Sequence, residues 1–320
     1  MRSPKRIVDL RFSELQFGDL QFAAGLAFVG FAAACLFLTS AARAQDMPLS
    51  GVLIDGEGWK VVSEGHTFTD GATCDAYGGF YFTDVAKGNT INKIDVDGKV
   101  SVYAKNAEKI SGLQFGPDGR LYACQVGKYK RIVAFDKEGK LHVIAENVEP
   151  NDLVVTRKGW IYFTETRKKQ VTSISPTGKV TATPTRINRP NGITLSPDQG
   201  TLAVSDHGGI YVWVYRIEAD GSLGFEMPYM TMRSPGPGQI ARGDGMATDH
   251  KNRYYVTSAE GLQMFDPTGR MGGVIAKPQN KPLVSVSFAG KDLSYLYVCC
   301  GDKVYRRKTK SKGVLFFMKK

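Results

Sequence analysis

A repeat of about 40 residues constrains this chain more than any other feature. In Arg189-Pro190-Asn191-Gly192-Ile193-Thr194-Leu195-Ser196-Pro197-Asp198 a polar residue opens an apolar run that ends in a turn. The same plan recurs at Asp70-Gly71-Ala72, Ser111-Gly112-Leu113, Asn151-Asp152-Leu153, Asp244-Gly245-Met246 and Ser285-Val286-Ser287. Six units therefore open on Asp70, Ser111, Asn151, Asn191, Asp244 and Ser285. A fixed period of this length marks units that cannot bury their apolar faces alone and must stack on one another.

Each unit reads as four short strands joined by tight turns. Unit one continues with Phe80-Tyr81-Phe82-Thr83, then Thr90 to Ile94, then a turn at Asp97-Gly98 and a strand from Lys99 to Tyr103. Asp-Gly between alternating apolar residues is a strong hairpin signal, because both positions tolerate positive φ. Six such units predict an all-β chain: a six-bladed β-propeller of four-stranded blades over residues 45–320. The sixth unit stops after Lys303-Val304-Tyr305, while Trp59 to Ser63 supplies an extra early strand. That strand is expected to complete the last blade and remove an open edge. Unit four is longer, with 53 residues between Asn191 and Asp244. Its excess includes the Gly- and Pro-rich run Met232 to Gln239, a surface loop that either covers the site beside Asp244 or is an idle insertion.

The first 44 residues read as an export signal. Arg2, Lys5, Arg6 and Arg11 give a positive start, Phe22 to Thr39 is apolar, and Ala42-Arg43-Ala44 is a small-x-small cleavage site. The working compartment is then the periplasm or the exterior, with no membrane attachment after cleavage; a retained anchor is the alternative, although the apolar run is at the short edge for spanning. Net charge is +11, and losing five basic and three acidic residues with the signal leaves +9. No basic stripe interleaved with stacking aromatics accompanies that excess, so nucleic acid is not an expected partner. The late basic cluster from Arg306 to Lys312 reads as a solvated terminus. Cys74, Cys124, Cys299 and Cys300 show no metal spacing and are too few for a disulfide scaffold. Cys74 and Cys124 lie in neighbouring units, where a bridge is one reading and buried thiols the favoured one.

The innermost strand of a propeller blade lines the central channel, so residues at one repeat position land on one ring. Any single Asn-Gly or Asp-Gly is an ordinary turn pair. Six polar openers together would give two carboxylates, two carboxamides and two hydroxyls, an all-oxygen set suited to a hard divalent cation. Ca2+ is favoured, with Zn2+ or Mg2+ as alternatives; Zn2+ more usually brings His or Cys, which the ring lacks.

Pro190-Asn191-Gly192-Ile193-Thr194-Leu195-Ser196-Pro197-Asp198, Asp244-Gly245-Met246-Ala247-Thr248-Asp249 and Gly79-Phe80-Tyr81-Phe82-Thr83-Asp84 resemble the hallmarks of the gluconolactonase/regucalcin (senescence marker protein) family. The resemblance runs from about Val61 to about Arg307. It implies a six-bladed propeller with one divalent ion in the channel and, in many members, hydrolysis of sugar lactones. It further implies that Asn191 and Asp244 are metal ligands and that Asn151 faces the substrate. The family's third ligand is a Glu in a Glu-Gly-Pro element, and the matching slot here is Asp70, one methylene shorter. Glu64 is the nearby alternative, but it falls too early against the repeat.

The reaction that follows is metal-assisted ester hydrolysis, with Asp244 as general base and Asn151, Ser111 and Ser285 holding sugar hydroxyls or the carbonyl. A serine-hydrolase mechanism is excluded: the chain has no Gly-x-Ser-x-Gly, and none of its four His pairs with a nucleophile. His207 reads as a solvated turn residue. Asp84, Glu165 and Asp206, each just after a strand, read as turn caps. Two rival readings remain: a non-catalytic propeller binding a carbohydrate or partner protein, and a metal-dependent esterase for an aryl or phosphate ester.

Overall fold

The computed structural model describes residues 47–318. The segment read as an export signal, with its cleavage site, lies outside the described residues. The described chain forms six antiparallel sheets of four strands each, in the order of a six-bladed propeller. The innermost strands are Thr69–Cys74, Ile110–Phe115, Leu153–Val155, Pro190–Leu195, Met246–Thr248 and Leu283–Ala289. Each touches the innermost strand of the blade on either side, and the ring closes from the sixth back to the first.

Burial explains the residue pattern across a blade. The second strands Phe80–Asp84, Leu121–Gln125 and Ile161–Glu165 are buried along their whole length. They are covered on both faces by neighbouring blades, so they read as continuous apolar runs rather than alternating ones. The outermost Val180–Pro184 is almost wholly exposed. The core is accordingly a set of layers between blades. Between blades one and two, for example, Tyr81 and Phe115 meet edge to face at 5.0 Å over Leu121 and Phe135. Such a pair is worth about 0.5–1.5 kcal/mol beyond its buried area. The four cysteines of the described chain are buried free thiols within these layers.

The last blade closes as the sequence predicts. Lys60–Ser63 pairs antiparallel with Lys303–Lys308, matching Lys60 to Arg306 and Val61 to Tyr305. The preceding stretch seats Val52, fully buried, in the layer between blades five and six. Removing residues up to Ser63 is expected to lower the melting temperature by several degrees and to drive self-association through the freed edge of Lys303–Lys308. Melting and light scattering check this, and an unchanged monomer would count against closure by this strand.

The acids after the second strands are caps, as expected. Asp84 accepts from the backbone N–H groups of Thr67 and Phe68 at 2.8 and 3.0 Å. Asp206 accepts from Asn188 and Arg189 at 3.2 and 2.9 Å, and Glu165 from Glu149 at 2.7 Å. Each ties down the loop that enters the innermost strand of its own blade, and so fixes the openers that follow.

The end of the chain corrects one expectation. Arg306 to Lys308 belong to a strand of the last blade, and the residues beyond them fold across the end of the channel away from the openers. Gly313 bridges to Asp249, Gln199 Nε2 donates to the Phe316 carbonyl at 2.7 Å, and Phe317 packs on Phe115. Val314, Leu315 and Phe316 wall a cavity of only about 40 Å³ against Thr73, Thr194 and Thr248. The terminus is a plug rather than a solvated tail, because its apolar residues cover apolar and hydroxyl side chains at the channel end.

Candidate active site

The openers lie at the other end of the channel, and their local structure is not that of a turn. Asp70-Gly71 and Asn191-Gly192 sit inside innermost strands, where the strand register slips between Asp70 and Thr73 and between Pro190 and Ile193. These are β-bulges, which re-aim side chains. The glycine after the opener serves close approach. A Cβ on Gly192 would stand 2.0 Å from the Asp244 carbonyl oxygen, and one on Gly245 2.7 Å from that of Val284. The ring can tighten at these points only without side chains.

Two cavities open at this end. One of about 560 Å³ is lined by Asp70, Ser111 and Asn151 together with Glu149, Lys130 and Arg167. The other, about 310 Å³, is lined by Asp244, His207, Arg242, Ser258, Lys277 and Lys281. Ser234 to Ile240 of the long insertion line neither cavity; only its end, at Arg242, reaches the site. No Phe, Tyr or Trp lines either one.

The structure brings Asp70 and Asp244 together with a residue that the sequence reading passed over, Asp152. Burial raises the pKa of all three, and proximity adds to it for Asp152 and Asp244. Asp152 is pushed up to about 8 by burial and then by the Asp70 charge, against donation from the Leu153 and Ile193 N–H groups. Asp244 is raised well above the usual range by burial, Asp70 and Asp152 in that order. Asp70 rises to about 6 through burial, restrained by hydrogen bonds from Ser285 Oγ at 2.7 Å and the Gly71 N–H at 2.8 Å. A sequence signal for Asp152 existed. Units one, two, four and five place Gly after the opener, and unit three alone places a carboxylate there.

His207 corrects the sequence reading as well. It lies in the expected turn but is not solvated: its side chain is 24% exposed, and its Nδ1 lies 3.7 Å from Asp244 Oδ2. Asn191 Nδ2 lies 3.4 Å from the same nitrogen. Burial, then Arg189 and Arg242, lowers the His207 pKa, so the ring is neutral at pH 7. A neutral ring accepting at Nδ1 from Asn191 leaves Asn191 Oδ1 as the oxygen available to a ligand.

Of the remaining predicted residues, Ser111 lines the larger cavity and donates its hydroxyl to the Asn151 carbonyl. Ser285 lines neither large cavity; it supports Asp70 and borders an enclosed space of about 20 Å³ with Asp152. Glu64 is on the surface, 65% exposed and paired with Lys303 at 2.7 Å, which removes it as an alternative to Asp70.

Among the described residues, no three His, Cys, Asp or Glu side chains gather closely enough to hold a metal by themselves. The predicted set of Asp70, Asn191 and Asp244 contains two such groups and a carboxamide. Its chemistry fits a hard cation: burial raises both carboxylates and Asp70 raises Asp244 further, an arrangement that a positive ion relieves.

Residues 68–301 match the family described as the SMP-30/Gluconolactonase/LRE-like region. A gluconolactonase of Zymomonas mobilis is 25% identical over 292 residues, covering 79% of this chain and 82% of that protein. A gluconolactonase structure from Xanthomonas campestris superposes with a TM-score of 0.70 at 22% identity, over 80% of this chain and 91% of its own. The calcium-binding regucalcin of Agrobacterium tumefaciens superposes with a TM-score of 0.66 at 19% identity, over 82% and 98%.

Proposed function

The chain belongs to the SMP-30/Gluconolactonase/LRE-like family, and from that premise we propose that it is an exported, divalent-metal-dependent hydrolase that opens a sugar lactone. The observation that carries the proposal is the convergence of Asp70, Asp152 and Asp244, with Asn191 and His207, between two open cavities at one end of the channel. The gluconolactonase relatives support the substrate class, and the calcium-binding regucalcin supports the ion.

Asp70, Asn191 and Asp244 would hold the cation, Ca2+ before Zn2+ or Mg2+. When bound, it would polarise the lactone carbonyl and lower the pKa of water. The chain's own residues do the rest. Asp244, a carboxylate beside the ion, takes the proton of the attacking water. His207 stays neutral and fixes the Asn191 carboxamide. Ser285 holds Asp70 in place. Asn151 and Ser111 face the larger cavity and position the sugar ring.

The test is metal analysis and glucono-1,5-lactone hydrolysis, before and after chelation and with Ca2+, Zn2+ or Mg2+ restored. We expect one divalent ion per chain and turnover that disappears and returns with it. A protein that holds an ion yet opens no lactone would retain the site and lose the substrate. One that does neither would be a binding propeller.

A further inference from the structure

The cations around the channel mouth fall into two groups. Lys130 is paired with Glu149 at 2.7 Å and Lys281 with Asp302 at 2.7 Å, so these contribute little net charge. Arg242 and Lys277 line the Asp244 cavity with no ion pair to a carboxylate among the described residues, and Arg167, whose charge is felt by Glu149, lines the other. Arg189 joins them: its stem passes the turn after His207, where a Cβ on Gly208 would meet its Cγ at 2.9 Å, and its charge is felt at both His207 and Asp244.

The backbone at Arg242 is a second, independent observation. Arg242 lies at φ 56°, two residues before Asp244. Arg242 is one of ten non-glycine residues at positive φ among those described, Lys130 on the other cavity wall included. Here it holds a guanidinium on the wall of the Asp244 cavity. A divalent ion on the floor would balance two of the three carboxylates, which leaves a cationic surplus of Arg189, Arg242 and Lys277 on the Asp244 side, with Arg167 on the other. That surplus stands where a substrate must enter.

We infer that the mouth selects a lactone that itself carries an anionic group, a carboxylate or phosphate remote from the ring ester, with Arg189, Arg242, Arg167 and Lys277 as the residues that recognise it. The inference rests on the lactonase reading and narrows its substrate class. Guanidinium groups suit either anion, since both accept paired N–H donors.

The test compares kcat/KM of the cation-loaded protein for glucono-1,5-lactone, which is neutral, with glucaro-1,4-lactone and 6-phosphoglucono-1,5-lactone. One of the charged lactones is expected to be preferred by at least about tenfold. That preference should shrink as salt rises from about 0.02 to about 0.5 M, where the Debye length falls below the width of the mouth. Arg242→Gln and Arg189→Gln should each reduce the charged-to-neutral ratio by about tenfold. Lys179→Gln, in an exposed outer hairpin of blade three, should leave the ratio unchanged. The preferred charged lactone tells carboxylate from phosphate. Binding of glucarate against gluconate by calorimetry gives a readout independent of turnover, and glucarate should bind more tightly. Hydrolysis of the neutral lactone with no preference for either charged one would overturn this inference and leave the lactonase reading standing. Failure to open any of the three would overturn the lactonase reading, and the glucarate comparison would then decide the selectivity of the rim alone.

Discussion

Asp244→Asn protein is expected to lose lactone hydrolysis by a factor of about 10²–10⁴, the usual contribution of a general base, and to melt at a higher temperature than wild type when no metal is present. The two effects have one cause. Asp244 is buried with Asp70 and Asp152; burial raises all three, Asp70 raises the other two further, and Asp152 adds to the shift of Asp244. A raised carboxylate pKa means that the charged form is disfavoured in the folded state, so at neutral pH that charge destabilises the fold. The isosteric amide keeps an oxygen and removes the charge. Each kcal/mol recovered raises the melting temperature of a domain this size by about 2–4 °C. Adding Ca2+ should raise the melting temperature of wild type and do much less for the variant, whose site has lost one of its two charged donors. Asp152→Asn should also melt higher, with a smaller loss of activity, because backbone N–H groups of Leu153 and Ile193 hold Asp152 and it has no contact with His207. Lactone kinetics and thermal melts with and without chelator test this. An Asp244→Asn enzyme within about tenfold of wild type would remove Asp244 as the base.

The blades were legible because two signals agree in each unit. Apolar second strands such as Phe80-Tyr81-Phe82 lie between neighbouring blades, and the glycines of the Asp-Gly and Thr-Gly pairs, Gly98 and Gly178, do adopt positive φ. Closure by Lys60–Ser63 followed from counting strands. The openers were found by position, but their form was not: Asn191-Gly192 is a bulge inside a strand, since the glycine answers to the Asp244 backbone of the next blade. Local sequence carries no trace of that contact. His207 was misread for the same reason. Its neighbours Asn191 and Asp244 are 16 and 37 residues away, and only the ring brings them together. Asp152 was a missed inference rather than a hidden one, because it breaks the glycine pattern at one repeat position. The C-terminal plug was obscured by the basic residues just before it, whose charges say nothing about the apolar Val314-Leu315-Phe316 that follow.

Arg253→Met is expected to be the most destabilising single change outside the site, by about 3–5 kcal/mol. Arg253 and Asp249 are 3% and 0% exposed, with Arg253 Nε donating to Asp249 Oδ2 at 2.6 Å. Asp249 also accepts from Tyr255 Oη at 2.9 Å, Ser311 Oγ at 2.6 Å and the Lys251 and Arg253 N–H groups. Arg253 Nη2 donates to Ser311 Oγ at 2.7 Å, so the pair fastens the start of the C-terminal plug to blade five. Removing the cation leaves a carboxylate buried with neutral donors only, which is the costly way to break such a pair. The melting temperature should fall by roughly 10 °C at about 2–4 °C per kcal/mol. Proteolysis should then release the residues after Ser311 before the blades are cut, because the plug loses its anchor while the inter-blade layers stay intact. Replacing both partners by apolar residues, Asp249→Leu with Arg253→Met, should recover part of the loss, since no charge is left stranded. Lactone hydrolysis at low temperature should survive all of these changes, because the pair lies at the plugged end and not among the openers. A single Arg253→Met variant that melts within about 2 °C of wild type, with its terminus still protected, would mean that the pair is hydrated and the plug is held by its apolar residues alone.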